Sequence, residues 1–307
     1  MTNAGLLLAA LALEAAAGYP RRWPHPVQAI GAAIEAGERL LNRGGAVRRR
    51  LSGLAMLVVV TGGAAGIGHG VAVVAGTGWG LVAVVAIATT GLAQRSLDDH
   101  VRAVLTPLAR GDLPAARGAV AMIVGRDAEV LDEAGVATAA IESLAESFCD
   151  GVVMPAFWFL IAGLPGLAAA KAINTADSIV GHRTARLGAF GWAAARADDV
   201  AAFVPARIAA LLICVAAGGA AGRAWTTMRR DSRTHASPNG GWPEAAMAGA
   251  LGRRLGGPVS YDGEPAWRAT LGTGAPPDAR DLARALRLYR TACLLLWGVV
   301  GAIAWVR

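Results

Sequence analysis

LSGLAMLVVVTGGAAGIGHGVAVVAG (51–76) and GWGLVAVVAIATTGLA (78–93) decide the fold class. Neither stretch contains an Asp, Glu, Lys or Arg. A transmembrane helix needs about 20 mostly apolar residues. The two runs and the glycine-rich join between them read as a helical hairpin that crosses a bilayer. Strand-like alternation does not recur along the chain, so helices are the spanning elements.

Apolar runs continue on both sides of this hairpin. Residues 5–17 are apolar except for Glu14, too short for an untilted span. Basic residues follow this run instead of preceding it, unlike a cleavable signal. Residues 152–170 are apolar but broken by Pro155, Gly163, Pro165 and Gly166. Residues 201–222 are apolar apart from Arg207, and 291–306 form a short uncharged run. The composition agrees: of 307 residues 55% are hydrophobic and 17% charged, against about 25% charged in soluble domains. Mean hydropathy is +0.46. The expectation is an all-α, polytopic integral membrane protein, with 1–307 a single membrane-embedded domain. The net charge of +7 suits anionic lipid or an anionic substrate better than nucleic acid in so apolar a chain. Cys149, Cys214 and Cys293 are isolated, with neither CxxC nor a nearby His pair, so neither a disulfide framework nor a zinc site is expected.

The polar connections are all basic. Residues 18–50 hold seven arginines, 94–150 five, 171–200 four basic residues and 223–290 eleven. Basic loops favour the cytoplasm. If 152–170 and 201–222 both crossed, 171–200 would lie outside, apart from the other basic segments. The prolines and glycines in one run and Arg207 in the other favour broken or re-entrant helices. The polar site is then cytoplasmic. Local signals in the connections are helical: Asp112 and Pro114 lead into 115–124, 136–149 is a helix, and 243–255 begins at Pro243 and stops at Gly256-Gly257-Pro258. Ala245, Ala248, Gly249 and Gly252 permit close helix packing. Residues 262–277 read as a loop, and no internal repeat is present.

The densest polar chemistry runs from Glu142 to Arg207. Glu142, Glu146 and Asp150 follow one helix face at four-residue spacing. Stacked carboxylates repel unless a cation or arginines neutralise them. Mg²⁺ with phosphate suits them, since it takes one or two carboxylates plus phosphate oxygens; a solvated amphipathic face is the plainer alternative. Lys171, Asn174 and Ser178 share a helix face, with Asp177 adjacent. A cation, an amide and a carboxylate at the mouth of a membrane segment suit a functional site, against snorkelling by Lys171 and capping by the rest. Lys171 is the only lysine in the chain. His182 and Arg183 follow Gly181, the expected helix end. Asp198 and Asp199 are consecutive and point about 100° apart on a helix, so they meet different partners. Arg207 faces protein, phosphate or water, or forms a structural ion pair with Asp198 or Asp199. No GxxxxGK[ST], HExxH or GxSxG occurs.

The ordered series WPHPVQAIG (23–31), RSL (95–97), GDLPAAR (111–117), IVGRD (123–127), IESLAES (141–147), DG (150–151), KAINTADSIVGHR (171–183), AARADDV (194–200), PAR (205–207) and SPNGGWPEAAMAGALG (237–252) resembles the CobD/CbiB family of cobalamin biosynthesis. The resemblance runs from about residue 5 to 300. It implies a cell-membrane enzyme that joins (R)-1-aminopropan-2-ol, or its O-phosphate, to a propionate of adenosylcobyric acid, giving adenosylcobinamide or its phosphate. The implied class is an ATP-dependent carbon–nitrogen ligase using Mg²⁺. The chain departs from the family pattern at Glu14, Tyr19, Ser147, Ala170 and Ala202, and the losses at 19, 147 and 202 argue against essential roles at those three positions. For that reaction, Glu142, Glu146 and Asp150 are the expected metal ligands. Lys171, Asp177 and Asp198 are expected in catalysis; Asn174, His182, Arg183, Asp199 and Arg207 are expected to hold substrate or phosphate. Membrane lipid, a second copy of the chain and other pathway enzymes are the further partners considered. A transporter of a small anionic molecule and a non-catalytic scaffold are the alternative classes. Charges clustered between spans, and no repeat, favour the enzyme over the transporter.

Overall fold

The computed structural model describes residues 2–19, 25–182 and 184–306. In chain order the helices begin with α1 (Asn3–Ala17), α2 (Pro26–Leu41), α3 (Ala46–Ala75), α4 (Gly80–Thr90), α5 (Gln94–Leu108) and α6 (Leu113–Val120). Then follow α7 (Glu133–Phe148), a π-helical turn (Cys149–Val153), α8 (Met154–Val180), α9 (Trp192–Ala201), α10 (Phe203–Ala216), α11 (Ala221–Asp231) and α12 (Gly241–Leu251). Strands β1 (Leu255–Tyr261) and β2 (Glu264–Leu271) precede α13 (Ala279–Val306).

Four helical stretches are long and apolar enough to cross a membrane: Ala46–Ala75, Gly80–Leu108, Glu133–Val180 and Ala279–Val306. The pair α9 and α10, bent by 47°, is a fifth if counted as one span. The chain is a multi-pass membrane protein. Only 11% of the apolar window of α3 is buried within the protein, so its Val58, Val59, Ile67 and Val74 are available to lipid. The expected hairpin is α3 and α4, which pack together across the turn at Gly76 and Gly78, both at positive φ. The expected break in 152–170 is real: α8 departs from helical geometry at Ala162 and at Gly163 (φ 61°). Its helix then runs on to Val180, past the predicted end of the apolar run.

Three boundaries correct the sequence reading. Residues 262–277 are not simply a loop: β1 and β2 pair antiparallel, with Val259 opposite Ala266 and Tyr261 opposite Glu264. Asp262 (φ 53°) and Gly263 (φ 80°) form the two-residue turn, where both central positions need positive φ. Helix α12 stops at Leu251 because Gly252 adopts the left-handed conformation (φ 67°) that ends helices, so it does not reach 255. The final helix starts at Ala279, well before 291. Its charged first half is amphipathic and buries Leu282, Ala285, Leu286 and Tyr289, so packing extends a helix that hydropathy alone would shorten.

The chain divides into two compact units, 1–93 with 154–202 and 300–307, and 94–153 with 203–299. In the first unit Ile34, Met56, Leu57, Ala176, Val180 and Phe190 make a buried core between α2, α3, α8 and α9. Gly53 of α3 lies so close to the Phe190 carbonyl that no side chain fits there. In the second unit α12 is buried along its length. Gly249 lets it approach α11, where an added Cβ would stand 2.7 Å from Thr227 Cβ, as the small-residue pattern predicts. Phe148 meets Tyr289 edge-on at 5.6 Å, and the Tyr289 hydroxyl donates to the Gln94 carbonyl at 2.8 Å. The hairpin is tethered by Asp127, whose carboxylate accepts from the Ser260 hydroxyl and from the Asp262 and Gly263 amides.

Candidate functional site

In the second unit α7 carries Glu142 and Glu146 into a polar cavity of about 170 Å³. The segment 123–126 and the hairpin residues Tyr261 and Arg268 complete its wall. Glu142 is almost fully buried and pairs with the equally buried Arg126. Its Oε1 accepts from the Gly256 amide at 2.7 Å, and Arg268 Nε stands 3.6 Å from its Oε2. Of the two neutralising agents open to these carboxylates from sequence, arginine is the one in place at Glu142. Glu146 and the Ser143 and Ser147 hydroxyls remain along the cavity. Asp150 falls in the π-helical turn. Among the described residues no group of three or more His, Cys, Asp or Glu is arranged to hold a metal.

A second layer of charge lies behind this wall. Arg268 donates to both Glu244 carboxylate oxygens, at 2.9 and 3.2 Å. His235 Nε2 lies 3.5 Å from Glu244 Oε1, and the Ser237 amide donates to His235 Nδ1 at 3.0 Å. Burial pushes the Glu244 carboxyl well above the usual carboxylate range, although Arg268 pulls the other way. Burial, and next the Arg268 charge, hold His235 below its ordinary value. Burial works against the Arg268 charge, but Glu244 and Glu142 outweigh it and raise that guanidinium's pKa.

In the first unit α8 presents Lys171, Asn174 and Asp177 along its last turns, ahead of the helix end at Gly181. Asn174 Nδ2 donates to Asp198 Oδ1 of α9 at 3.3 Å. That bond joins KAINTADSIVGHR to AARADDV through two residues 24 positions apart. Asp199 points elsewhere, to Arg196 at 2.8 Å, as consecutive helical positions require. His25, which caps α2, is held below its ordinary pKa by burial and then by the Lys171 charge. His182 is exposed beyond the helix end, and Arg183 lies outside the described residues.

Arg207, in the second unit, is built into the fold. It donates to the Phe203 carbonyl and to Asn239 Oδ1, each at 2.7 Å. Its guanidinium stacks on Phe203 at 3.7 Å and on Trp242 at 4.6 Å from the ring centroids. That arrangement fixes the SPNGGW loop. Glu142 and Glu146 therefore line one cavity in the second unit, and in the first Asn174 meets Asp198, with Lys171 and Asp177 each about one turn from Asn174 along α8. Sequence reasoning missed Arg126, Tyr261, His235, Glu244 and Arg268 as site residues. Arg126 and Glu244 lie inside motifs already noted (IVGRD and SPNGGWPEAAMAGALG). Arg268 was hidden by the loop reading of 262–277, and Tyr261 stands just before that range, although YDGE carries the Asp-Gly hairpin signal.

Residues 7–289 match the family described as CobD/Cbib protein. The chain is 47% identical to the cobalamin biosynthesis protein CobD of Rhodobacter capsulatus, over 99% of this chain and 98% of that one. It is 44% identical to the protein of that name from Brucella anthropi, over 96% and 95% of the two chains. It is 44% identical to the one from Geobacter metallireducens, over 96% of each. No solved structure matches the chain.

Proposed function

The chain belongs to the CobD/CbiB family, and from that premise we propose that it acts in cobalamin biosynthesis as an ATP-dependent amide-forming ligase. Its substrates in this reading are the corrinoid adenosylcobyric acid and (R)-1-aminopropan-2-ol or its O-phosphate. A carboxylate is a poor electrophile and an ammonium is not a nucleophile, so the site must help activate the one and deprotonate the other. ATP, when bound, supplies the group that activates the propionate, and Mg²⁺ shields its phosphates.

The observation that carries the reading is the Asn174–Asp198 hydrogen bond. It couples α8, with Lys171 and Asp177, to the aspartates of α9. Lys171 is a compact cation for a phosphate oxygen. Asp198, oriented by the Asn174 amide, or Asp177 takes the proton from the amine. In the second unit Glu142 does not fit a direct metal role, because Arg126, Arg268 and the Gly256 amide already surround its oxygens. Glu146 fits the single carboxylate that a Mg²⁺ entering with phosphates requires. Asp150 adjoins this segment and keeps its place in the proposal as an outer carboxylate. The basic segments 18–50, 94–150, 171–200 and 223–290 support a cytoplasmic site at the cell membrane.

The test is an amidation assay with purified protein in detergent, omitting ATP and Mg²⁺ in turn. Amide product that depends on both is expected. No product from the complete mixture would instead favour a scaffold, and substrate flux without product a transporter.

A further inference from the structure

We infer that the first unit holds a dedicated site for the phosphate of an anionic phospholipid, in the pocket between α2 and the start of α3. This pocket, of about 440 Å³, is lined by Glu38, Arg39, Asn42, Arg43, Arg49 and Arg186, with Gly44. Four guanidiniums face one carboxylate, and that carboxylate is already committed: Arg186 holds Glu38 with two bonds, at 3.1 and 2.5 Å. Asn42 Nδ2 donates at 2.7 Å to Glu38 Oε1, the oxygen that also accepts from Arg186 Nε. Glu35 approaches Arg39 only at 3.7 Å, between exposed side chains, which neutralises little. Positive charge is left in excess.

The pocket is also organised. Arg49 Nε donates to Asn42 Oδ1 at 2.7 Å, and its terminal nitrogen donates to the Ala185 and Arg186 carbonyls. A chain of bonds thus fixes Arg49, Asn42, Glu38 and Arg186 in one geometry. Among the described residues Arg43 donates to the Arg39 carbonyl, at a long 3.4 Å, and it is exposed. Gly45 gives α3 no side-chain cap, so the partial positive charge of a 30-residue helix end adds to the arginines.

Charge alone would suit any phosphate; the surface beside it selects lipid. Leu51, Leu54 and Val58 of α3 are exposed and follow the pocket at helical spacing along one face. They open the spanning segment Ala46–Ala75. A phosphate in the pocket places its acyl chains along this stripe, with the head group at the level where basic clusters recruit anionic lipid. The inference does not depend on the ligase reading.

The experiment uses the full chain in neutral detergent. Unfolding temperature and native mass spectrometry are followed with phosphatidylglycerol, phosphatidylcholine, inorganic phosphate or glycerol 3-phosphate added. Phosphatidylglycerol is expected to bind and to raise the unfolding temperature; the other three are not. Arg43→Gln and Arg39→Gln alter exposed side chains outside the fixed chain of bonds. Each is expected to weaken phosphatidylglycerol binding about 5-fold, with the lipid-free unfolding temperature unchanged. Equal stabilisation by inorganic phosphate or glycerol 3-phosphate would overturn the lipid assignment. Equal binding of phosphatidylcholine, or wild-type binding by the double variant, would overturn the pocket.

Discussion

Glu142 and Glu146 stand one turn apart on α7, yet their surroundings separate their roles. Glu142 shares its buried position with Arg126. Removing one partner of a buried ion pair leaves the other charge uncompensated, at a cost of about 3–5 kcal/mol. Glu142→Gln is therefore expected to lower membrane abundance and thermal stability, and added Mg²⁺ should not restore them. Glu146→Gln should accumulate normally but lose activity, with partial recovery at high Mg²⁺. Quantitative immunoblotting beside the amidation assay separates the two; matching losses in both variants would show that the residues share one role. Lys171 is tested by comparing arginine with alanine. A charge-assisted hydrogen bond is worth about 1.5–3 kcal/mol. If a compact ammonium is needed, Lys171→Ala and Lys171→Arg should both lower kcat/KM about 10- to 100-fold. A snorkelling anchor would tolerate arginine, so full activity in Lys171→Arg would remove this contact from the site. Glu244 gives a pH signature. Its pKa in the folded protein is raised above the ordinary 4.5, so folding favours the protonated form. Its stabilising effect is complete below pH 4.5 and is lost as pH rises towards the folded value. His235, held below 6.5, acts in the opposite sense and costs stability as pH falls below 6.5. Glu244→Gln should flatten the decline in unfolding temperature that sets in as pH rises above 4.5, while leaving the His235 loss below 6.5. Parallel wild-type and variant curves throughout the range above pH 4.5 would mean that Glu244 stays ionised in the fold.

At the level of elements, the interruptions carry the information. The break at Ala162–Gly163 was legible, because Gly163 and Pro165 cannot both sit in an unbroken apolar helix. The end of α8 at Gly181 and the start of α6 at Asp112 were legible for similar local reasons. The hairpin was obscured by its own composition: Gly256, Gly257, Pro258 and Pro265 are poor strand formers, and pairing between strands prevails over that preference. The bend between α9 and α10 was foreshadowed only by Arg207, and the packing of that side chain on Phe203 and Trp242 could not be read from spacing. The connection from α8 to α9 supplies the test of topology. Ala185 and Gly188 are exposed, and Cys149, Cys214 and Cys293 are all buried, so an introduced thiol can be read without background. Ala185→Cys and Gly188→Cys are expected to resist a membrane-impermeant maleimide in intact cells and to react once the membrane is opened. Labelling of intact cells would place this connection outside and make the broken segments ordinary spans.

For the molecule as a whole, hydropathy showed the class and motif order showed the family, because both are properties of the chain in one dimension. Arg268, Glu244 and His235 are distant in sequence from α7 and meet it only through folding, so no spacing rule marked them. The interleaving of the two units was equally invisible, and it constrains how the protein is made. Residues 94–153 must wait for 203–299 before their unit can close, and residues 1–93 must wait for 154–202 and the last turns of α13. Almost the whole polypeptide has to leave the ribosome before either unit is complete, and closing such long loops is slow. A nonsense codon near residue 200 would release neither a functional half nor a folded one. It would release membrane-inserted helices with unsealed apolar faces, a substrate for quality-control proteolysis.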